Sequence, residues 1–248
     1  MLGPEKLSLV QARLQRVASD KGFSDLASYL AEVARTHDEV MVMDAVERLT
    51  TNHTYFWREN DHFEKFRTMV IPDMRDQLAR PGPPRVWCAA SSTGQEPWTL
   101  AGLLQEAVLT SWPRHSVVAS DLSSEVVETA KQGDYLISDV QRLPEHYRKQ
   151  WFRPKGDRRV SIAPSLRHEV EYRTLNLMDS SYPWRGSLHV VFCRNVLIYF
   201  DPDTRLQVID RIRNTLRPGG WLFLSQTEGL PKEAQGWKRV GAGISRKL

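Results

Sequence analysis

The hydrophobic pattern of the first fifty residues is helical. Apolar positions recur every three or four residues in three pieces, EKLSLVQARLQRVA, SDLASYLAEVAR and DEVMVMDAVERL. The second piece begins with the capping residues Ser24 and Asp25, and one stripe of it carries Leu26, Tyr29, Leu30 and Val33. A further helix is predicted over about residues 60–79, before RPGPPR, because proline cannot continue a helix. We therefore predict a helical domain over residues 1–75 and a second domain over residues 76–248.

After Pro84 the pattern changes to short apolar runs that alternate with longer helical segments. The apolar runs are RVWCAA, HSVVASD, LHVVFC and GWLFLS, and helices are predicted from about Gln95, Ser123 and Asp203. Such alternation is typical of a mostly parallel sheet with helices on both faces. Residues 155–174, KGDRRVSIAPSLRHEVEYRT, alternate like strands and predict a small antiparallel excursion. The predicted fold class is α/β.

Composition indicates an ordinary globular protein. The chain has 248 residues, of which 41% are hydrophobic and 26% charged. This length suits one large domain, or a small domain joined to a medium one. No run approaches the ~18–20 apolar residues that a membrane span needs, and the first residues lack the apolar centre of a signal peptide. We therefore expect a cytoplasmic protein without direct membrane insertion.

Charge and metal-binding residue types narrow the possible partners. The net charge is +4 and the pI about 9.1, which permits an acidic partner, but the basic residues are scattered and no RNA-binding aromatic pattern is present. We expect no nucleic acid. Cys88 and Cys193 each lie in an apolar run, where a buried thiol is favoured over a disulfide or a metal ligand. The histidines lack metal-like spacing, so no metal site is expected.

Candidate ligand-binding residues follow the predicted strands, because open parallel sheets bind ligands at the carboxyl ends of their strands. AASSTGQEP follows the first strand, where small residues permit close approach of a ligand and Glu96 opens the next helix. The second strand ends at Asp121, a position where an acidic residue typically accepts hydrogen bonds from ribose. Neither GxGxxG nor GxxxxGK[ST] occurs, so a ribose without a bound phosphate is favoured, as in S-adenosylmethionine (SAM). The alternative for Asp121 is a helix N-cap, which Ser123 can also supply.

Three further segments carry polar residues. One has no helical or strand period, and the other two follow predicted strands. TTNHTYFWRE, residues 50–59, combines an amide, hydroxyls, aromatic rings and an arginine. Buried polar groups need partners, so this segment is plausible as a ligand-facing loop. TLNLMD and FCRNVLIYFD are predicted strand exits, and the second presents the amide of Asn195 and the ring and hydroxyl of Tyr199.

Taken together, these segments resemble the CheR family of chemotaxis-receptor glutamate O-methyltransferases. The resemblance is carried, in order within residues 40–228, by TTNHTYFWRE, VWCAASSTGQEPWTLA, ASDLSSEVVETAKQGDY, LNLMD, FCRNVLIYFD and LRPGGWLFLSQTE. One such motif is weak evidence, whereas the ordered set is specific. It implies a class I SAM-dependent methyltransferase with a Rossmann-like sheet, an N-terminal helical domain and a small antiparallel β insertion.

The resemblance also implies a site. It implies SAM as cofactor, S-adenosylhomocysteine as product, and a lid loop over residues 50–59 that closes on the cofactor. The cofactor-binding positions that it implies are Asn52, Thr54, Arg58, Glu96, Asp121, Asn176, Leu177, Asn195 and Val196. It places Arg58 and Tyr199 near the methyl group as catalytic residues.

The implied reaction is methylation of a glutamate side chain, giving a γ-methyl ester. A carboxylate with a reference pKa of about 4.3 is ionised at neutral pH and needs no general base. We therefore expect Arg58 to position the carboxylate through its planar fork of donors rather than to activate it. The alternatives are an arginine at the start of a surface helix for Arg58 and ordinary packing at a strand end for Tyr199.

The implied partners are the cytoplasmic domains of chemotaxis receptors, which are methyl-accepting proteins, and the chain is expected to be a monomer. The β excursion is short for gripping a tethering peptide, so tether-dependent recruitment is not expected. Gln95 stands where the family has the first acidic residue of GEEP. Two alternatives remain: a SAM-dependent methyltransferase of RNA or a small molecule, favoured by the basic pI, and a non-catalytic SAM-binding regulator.

Overall fold

The chain divides into two compact units, Met1–His53 and Thr54–Leu248. The structure is a computed structural model that describes residues 7–49, 53–78, 86–107 and 116–248. The division lies earlier than the boundary at residue 75 that the sequence predicts. The reason is packing: Phe63 and Phe66 are buried in the same apolar core as the sheet residues Phe192 and Phe223. The helices after residue 60 therefore belong to the unit that contains the sheet.

The first unit contains the three predicted helices. They are α1 Leu7–Asp20, α2 Leu26–Thr36 and α3 Glu39–Leu49. Asp25 caps α2 as predicted, because its carboxylate accepts the N–H of Ser28 at 2.7 Å. Tyr29 is fully buried and donates its hydroxyl hydrogen bond to the carbonyl of Met41 at 2.8 Å, which joins α2 to α3.

In the second unit, the first two helices come before the first strand, and the later helices lie between strands. In chain order they are α4 Asn60–Lys65, a π-helical turn Phe66–Val70, α5 Ile71–Leu78, α6 Gln95–Ala107, α7 Ser124–Gln132, α8 Ile137–Val140, α9 Glu145–Trp151, α10 Pro164–Arg167 and α11 Pro202–Thr215. None of the helices in the described ranges combines the length and apolarity that crossing a bilayer requires. The sequence patterns predicted α6, α7 and α11 near their observed starts, whereas α8, α9 and α10 were not predicted.

The strands of the second unit form one large sheet and one small one. They are β1 Val86–Ala89, β2 Val117–Asp121, β3 Asp134–Leu136, β4 Phe152–Lys155, β5 Arg159–Ile162, β6 Val170–Thr174, β7 Leu188–Cys193, β8 Leu216–Phe223, β9 Trp237–Gly241 and β10 Ile244–Lys247. The large sheet has the order β6-β2-β1-β7-β8-β10-β9. Its first five strands are parallel, and β10 is antiparallel to both β8 and β9. The α/β class with a mostly parallel sheet is confirmed.

The two faces of the large sheet are covered by different helices. Cys88 and Phe192 pack into a core with residues of α4 to α6, including Trp98. Trp87 packs into a second core with residues of α11, including Ile209. Because successive strand residues alternate between faces, strands covered on both sides are largely apolar. β1 and β7 are buried along their whole length, with His189 as the one polar residue among them.

The predicted antiparallel excursion at residues 155–174 is only partly correct. The small sheet has the antiparallel order β3-β5-β4, and it draws β3 and all of β4 except Lys155 from residues before the predicted range. Residues Val170–Thr174 instead form β6, the edge of the large sheet, parallel to β2 with Asp121 opposite Thr174. Alternation marks a strand but does not choose its partner, because that choice depends on distant chain segments.

Candidate active site

Loops with unusual backbone geometry follow β1 and β7. Ala90, Ser92 and Asn195 have φ values of 62°, 49° and 59°, in the left-handed region that non-glycine residues seldom adopt. The N–H of Ser91 donates to the carbonyl of Ser120 at 2.8 Å, which ties the β1 loop to β2. Strained residues persist where surrounding contacts hold them, and they concentrate at functional sites. The carboxyl edge of the parallel strands is therefore the candidate site, as the sequence predicts.

Small residues keep the loop after β1 close to its neighbours. A Cβ atom on Gly94 would lie 2.9 Å from both the Cβ of Ala130 and the hydroxyl oxygen of Tyr135. Tyr135 donates this hydroxyl to the carbonyl of Thr93 at 2.8 Å. The loop is thus packed against α7 and β3, with its main chain on the edge of the sheet.

Asp121 lies at the end of β2 beside that loop. Its two carboxylate oxygens accept the N–H of Ser92 at 2.8 Å and the N–H of Ser123 at 3.2 Å. Burial raises the pKa of Asp121, and these N–H donors oppose the rise. Ser123, not Asp121, caps α7, since its hydroxyl accepts the N–H of Val126 at 3.4 Å. The N-cap alternative for Asp121 is therefore excluded.

Arg194, directly after β7, is the centre of a buried ionic cluster. Only 2% of its side chain is exposed. Its Nη1 donates to Glu96 at 2.5 Å, and its Nη2 donates to the carbonyl of Arg58 at 2.5 Å and lies 3.4 Å from Glu59. The guanidinium carbon lies 5.3 Å from the ring centre of Phe63. One buried cation thus contacts the first turn of α6 and the end of the lid loop.

Glu96 has a second partner on β1. The thiol of Cys88 donates to the Glu96 carboxylate at 3.1 Å. Burial raises the pKa of the Cys88 thiol well above its ordinary value, so the thiol stays protonated and can donate. Cys88 and Cys193 are both free and buried, as predicted. The Glu96 carboxylate is therefore fixed from both sides.

Asn195 and the turn after it are held by Glu228. This glutamate is 2% exposed, and its carboxylate accepts the N–H groups of Asn195 at 2.7 Å, Ile198 at 3.1 Å and Ser225 at 3.1 Å. The side-chain amide of Asn195 donates to Glu59 at 3.4 Å. A buried carboxylate that satisfies three main-chain donors stabilises the left-handed conformation of Asn195.

The described part of the lid loop is anchored by aromatic rings. Phe56 is fully buried and packs edge-on against Tyr135 and Phe152 at ring distances of 4.8 and 5.3 Å. Trp57 stacks on Phe63 at 5.3 Å. Trp57 and Glu59 have φ values of 68° and 55°, so Arg58 lies between two left-handed residues.

The other residues predicted to bind the cofactor lie in three segments of the chain. Asn52 lies outside the described residues, and Thr54 and Val196 are half-buried. Asn176 accepts the N–H of Met178 through its side chain at 2.8 Å, and Leu177 is 7% exposed. This loop is joined to the candidate site because Leu175 donates its N–H to the carbonyl of Asp121 at 2.9 Å.

The predicted catalytic residues are both accessible. Tyr199 ends the short 3₁₀ helix Leu197–Tyr199 and is 45% exposed, so ordinary packing at a strand end does not account for it. Arg58 is half-buried, with its guanidinium carbon 5.8 Å from the ring centre of Tyr55. Its main-chain carbonyl accepts a hydrogen bond from Arg194, and α4 begins two residues later, at Asn60.

Sequence reasoning missed the residues that support the site. These are Glu59, His62, Arg194 and Glu228. The sequence could have indicated Arg194, because it directly follows an apolar strand, and a charged residue buried at such a position needs an ionic partner. The identity of that partner was not readable, because Glu96 lies 98 residues away along the chain. In the described part of the chain, no cluster of residues suits a metal ion.

Comparison with known proteins gives consistent matches. Residues 52–244 match the family model described as CheR methyltransferase, SAM binding domain. The chain is 34% identical over 242 residues to a probable chemotaxis protein methyltransferase of Rhizobium etli, covering 94% of this chain and 88% of that protein. It is 35% identical over 236 residues to chemotaxis protein methyltransferase 1 of Pseudomonas aeruginosa, covering 93% of this chain and 85% of that protein.

The family model spans more than half of the chain and includes every predicted site residue, from Asn52 to Tyr199. The relatives extend the likeness to nearly the full length. The family match identifies SAM as the cofactor of this chain, and the carboxyl edge of the sheet is its expected location. The chain belongs to the CheR methyltransferase family.

Proposed function

We propose that this chain transfers the methyl group of SAM to glutamate side chains in the cytoplasmic domains of chemotaxis receptors. The products are γ-glutamyl methyl esters and S-adenosylhomocysteine. Support comes from the family and from relatives named chemotaxis protein methyltransferases. The carrying observation is that Arg194 joins Arg58 of the lid loop to Glu96 at the edge of the sheet, close to Asn195.

The residues at this edge fit SAM chemically. SAM presents an ammonium group and ribose hydroxyls as hydrogen-bond donors. Glu96, in the first turn of α6, and Asp121, at the end of β2, supply carboxylate acceptors. The loop of small residues after β1 allows a ligand to approach its main chain. We assign Asp121 to the ribose. The other residues assigned to SAM are Asn52, Thr54, Arg58, Glu96, Asn176, Leu177, Asn195 and Val196.

Bound SAM supplies an electrophilic methyl group on a positively charged sulfur. A bond forms between a substrate carboxylate oxygen and the methyl carbon while the carbon–sulfur bond breaks, and the electron pair of that bond stays on sulfur. No proton moves, because a glutamate carboxylate is ionised at neutral pH. The demands on the protein are therefore orientation and exclusion of water rather than acid–base catalysis.

Arg58 and Tyr199 meet these demands. A guanidinium can hold a carboxylate through two parallel N–H donors, which fixes its direction. Arg58 is placed for this on a strained and anchored loop, between Trp57 and Glu59. Tyr199 presents an exposed phenol in the 3₁₀ helix that follows β7, where it can contact the substrate side chain. We assign Arg58 to carboxylate positioning and Tyr199 to contact with the reacting groups.

Transfer of labelled methyl groups tests the proposal. The purified chain is incubated with methyl-tritiated SAM and receptor cytoplasmic fragments, and the protein is then treated with mild base. Released tritiated methanol is expected, because carboxylate esters hydrolyse under these conditions. Fragments whose methyl-accepting glutamates are replaced by alanine serve as the control. Label on RNA or a small molecule instead would indicate another substrate class, and SAM binding without any label would indicate a regulator.

A further inference from the structure

Arg194 carries contacts that neither the family pattern nor its assigned site residues explain. Its charge is almost completely removed from solvent. Placing a guanidinium there is strongly unfavourable unless carboxylates and carbonyls compensate for the lost water. The carboxylates that compensate are Glu96, a cofactor residue, and Glu59, the last residue of the lid loop. We propose that Arg194 is a positioning residue that couples the lid loop to the cofactor-binding edge during methyl transfer.

The Arg194 guanidinium can couple the lid loop to Glu96 because one rigid group binds both. A guanidinium is planar, so its Nη1 and Nη2 atoms keep a fixed separation and direction. Nη1 holds the Glu96 carboxylate, and Nη2 holds the carbonyl of Arg58. The carbonyl contact carries the inference about the lid, since it holds the main chain from which the Arg58 side chain extends. A lysine ammonium, as a single point donor, cannot reproduce both directions.

Backbone strain explains why the lid loop needs this support. Trp57 and Glu59, on either side of Arg58, both adopt left-handed conformations. Each such conformation is unfavourable for a residue with a Cβ atom and persists only when surrounding contacts determine it. Trp57 is held by stacking on Phe63, while Glu59 is held by Arg194 and by the N–H of Gln226 at 2.9 Å. Without Arg194, the turn that presents Arg58 loses a main support.

The chain contains a matched control in Arg246. Its side chain also donates to a carboxylate, Asp73 at 3.0 Å, and to a carbonyl, Gly219 at 2.9 Å. It also lies over an aromatic ring, with 5.0 Å between its guanidinium carbon and the ring centre of Trp221. These contacts join β10, β8 and α5, and none of them involves a residue assigned to the site. Arg246→Lys therefore loses the same kind of fork without affecting the lid loop.

The experiment compares Arg194→Lys with Arg246→Lys in the full chain. SAM affinity is measured by calorimetry, methyl transfer in single turnover at saturating SAM, and lid order by amide hydrogen exchange of residues 54–59. We expect Arg194→Lys to weaken SAM binding roughly tenfold, to slow transfer roughly 100-fold and to speed lid exchange, as misplaced reactants would. We expect Arg246→Lys to change each quantity less than about twofold, because its contacts are partly solvated.

A second variant separates the two ends of the coupling. Glu59→Gln removes the negative charge that Arg194 faces on the lid side and leaves Glu96 unchanged. Because the Glu59 carboxylate also accepts the amide of Asn195, SAM affinity should fall slightly, by at most about threefold, while transfer and lid exchange change more. This variant also decides the matter if Arg194→Lys fails to fold. The proposal is overturned if Arg194→Lys behaves like Arg246→Lys, or if transfer falls only in proportion to the folded fraction with lid exchange unchanged.

The inference rests on the proposed function only for the identity of the methyl acceptor. If the wild-type chain labels no receptor fragment, the proposed substrate is wrong. SAM affinity and lid exchange then still test Arg194, because neither measurement requires a substrate. Equal SAM affinity and equal lid exchange in wild type and Arg194→Lys would remove Arg194 from the positioning residues whatever the substrate.

Discussion

Two arginine clusters in the same unit use the same contacts in different surroundings. Arg194 and Arg246 each donate to a carboxylate and a main-chain carbonyl, and each lies over an aromatic ring. The Arg194 side chain is 2% exposed, whereas that of Arg246 is 40% exposed. The comparison shows that contact geometry alone does not determine the role of an ion pair. Water and salt screen the exposed cluster, while the buried one depends on its partners.

The backbone around the two clusters also differs. The carbonyl bound by Arg194 lies between the left-handed residues Trp57 and Glu59. The carbonyl bound by Arg246 belongs to Gly219, whose φ of 72° carries little cost because glycine has no side chain. The first cluster therefore holds a strained loop, and the second ties an unstrained glycine of β8 to its neighbours.

The largest expected effect comes from removing each charge completely. Arg194→Leu leaves two carboxylates and one carbonyl without their buried partner, so the free energy of unfolding should fall by about 3–5 kcal/mol. Arg246→Leu should cost at most about 1 kcal/mol, as for other exposed pairs. Urea unfolding followed by both circular dichroism and tryptophan fluorescence measures the difference. Equal losses would show that burial does not distinguish the two clusters.

The second largest effect is expected at Arg58, whose main chain the buried Arg194 cluster supports. Arg58→Lys keeps the charge but loses the planar fork. We expect SAM affinity within a few-fold of wild type, while single-turnover transfer falls by roughly 100-fold. A SAM titration and a transfer assay on the same preparation measure both. Near-normal transfer would remove Arg58 from the catalytic residues, and a parallel loss of affinity and rate would make it a cofactor ligand only.

The third effect is smaller and concerns SAM affinity alone. Asp121→Ala removes a buried carboxylate from the ribose position, so SAM binding should weaken by about 1.5–3 kcal/mol in calorimetric titration. Asp134→Ala is the control, because Asp134 pairs with Lys155 in the small sheet and is not assigned to SAM. Unchanged SAM affinity in Asp121→Ala would contradict the ribose assignment.

The smallest effect concerns pH. Burial, and next the Arg194 charge, lower the pKa of His62 below its ordinary 6.5, and its Nε2 lies 3.0 Å from the carbonyl oxygen of Ala242. Unfolded His62 takes up a proton near its ordinary pKa, whereas folded His62 does so only at lower pH. This contribution to stability is thus present above pH 6.5 and is lost as pH falls toward the folded pKa.

His62→Gln should therefore flatten the dependence of unfolding free energy on pH between about 7 and 5.5, where carboxyl groups contribute little. An unchanged slope in His62→Gln would show that another group controls stability in this range.

Glu59 affects stability at lower pH. Burial raises the pKa of Glu59, but Arg194 and the N–H of Gln226 outweigh burial and lower the pKa below 4.5. The contribution of Glu59 to stability is present above pH 4.5 and is lost as pH falls further.

Much of the fold follows from patterns that are local in the sequence. Buried parallel strands are nearly continuous apolar runs, so the runs around β1 and β7 predicted the sheet. Asp121 was identifiable because a strand end followed by a separate N-cap, Ser123, leaves its carboxylate available for another role. The residues assigned to SAM came from ordered motifs that resemble a known family, and their individual roles stay predictions.

Other features depended on tertiary contacts. The unit boundary moved to His53 because Phe63 and Phe66 pack under the sheet, and Val170–Thr174 joined the large sheet because β2 offered a free edge. Helical and strand periods report which face of an element is buried, but they do not name the partner that buries it.

By itself, the sequence determined the α/β class, the strand exits and the polar residues placed there. Only the tertiary structure decided that Arg194 joins Glu96 to the main chain of Arg58, which lie 98 and 136 residues away along the chain. It also decided which non-glycine residues adopt left-handed conformations. The physical reason is the same in both cases: a buried charge and a strained backbone are stable only when distant groups supply their hydrogen bonds.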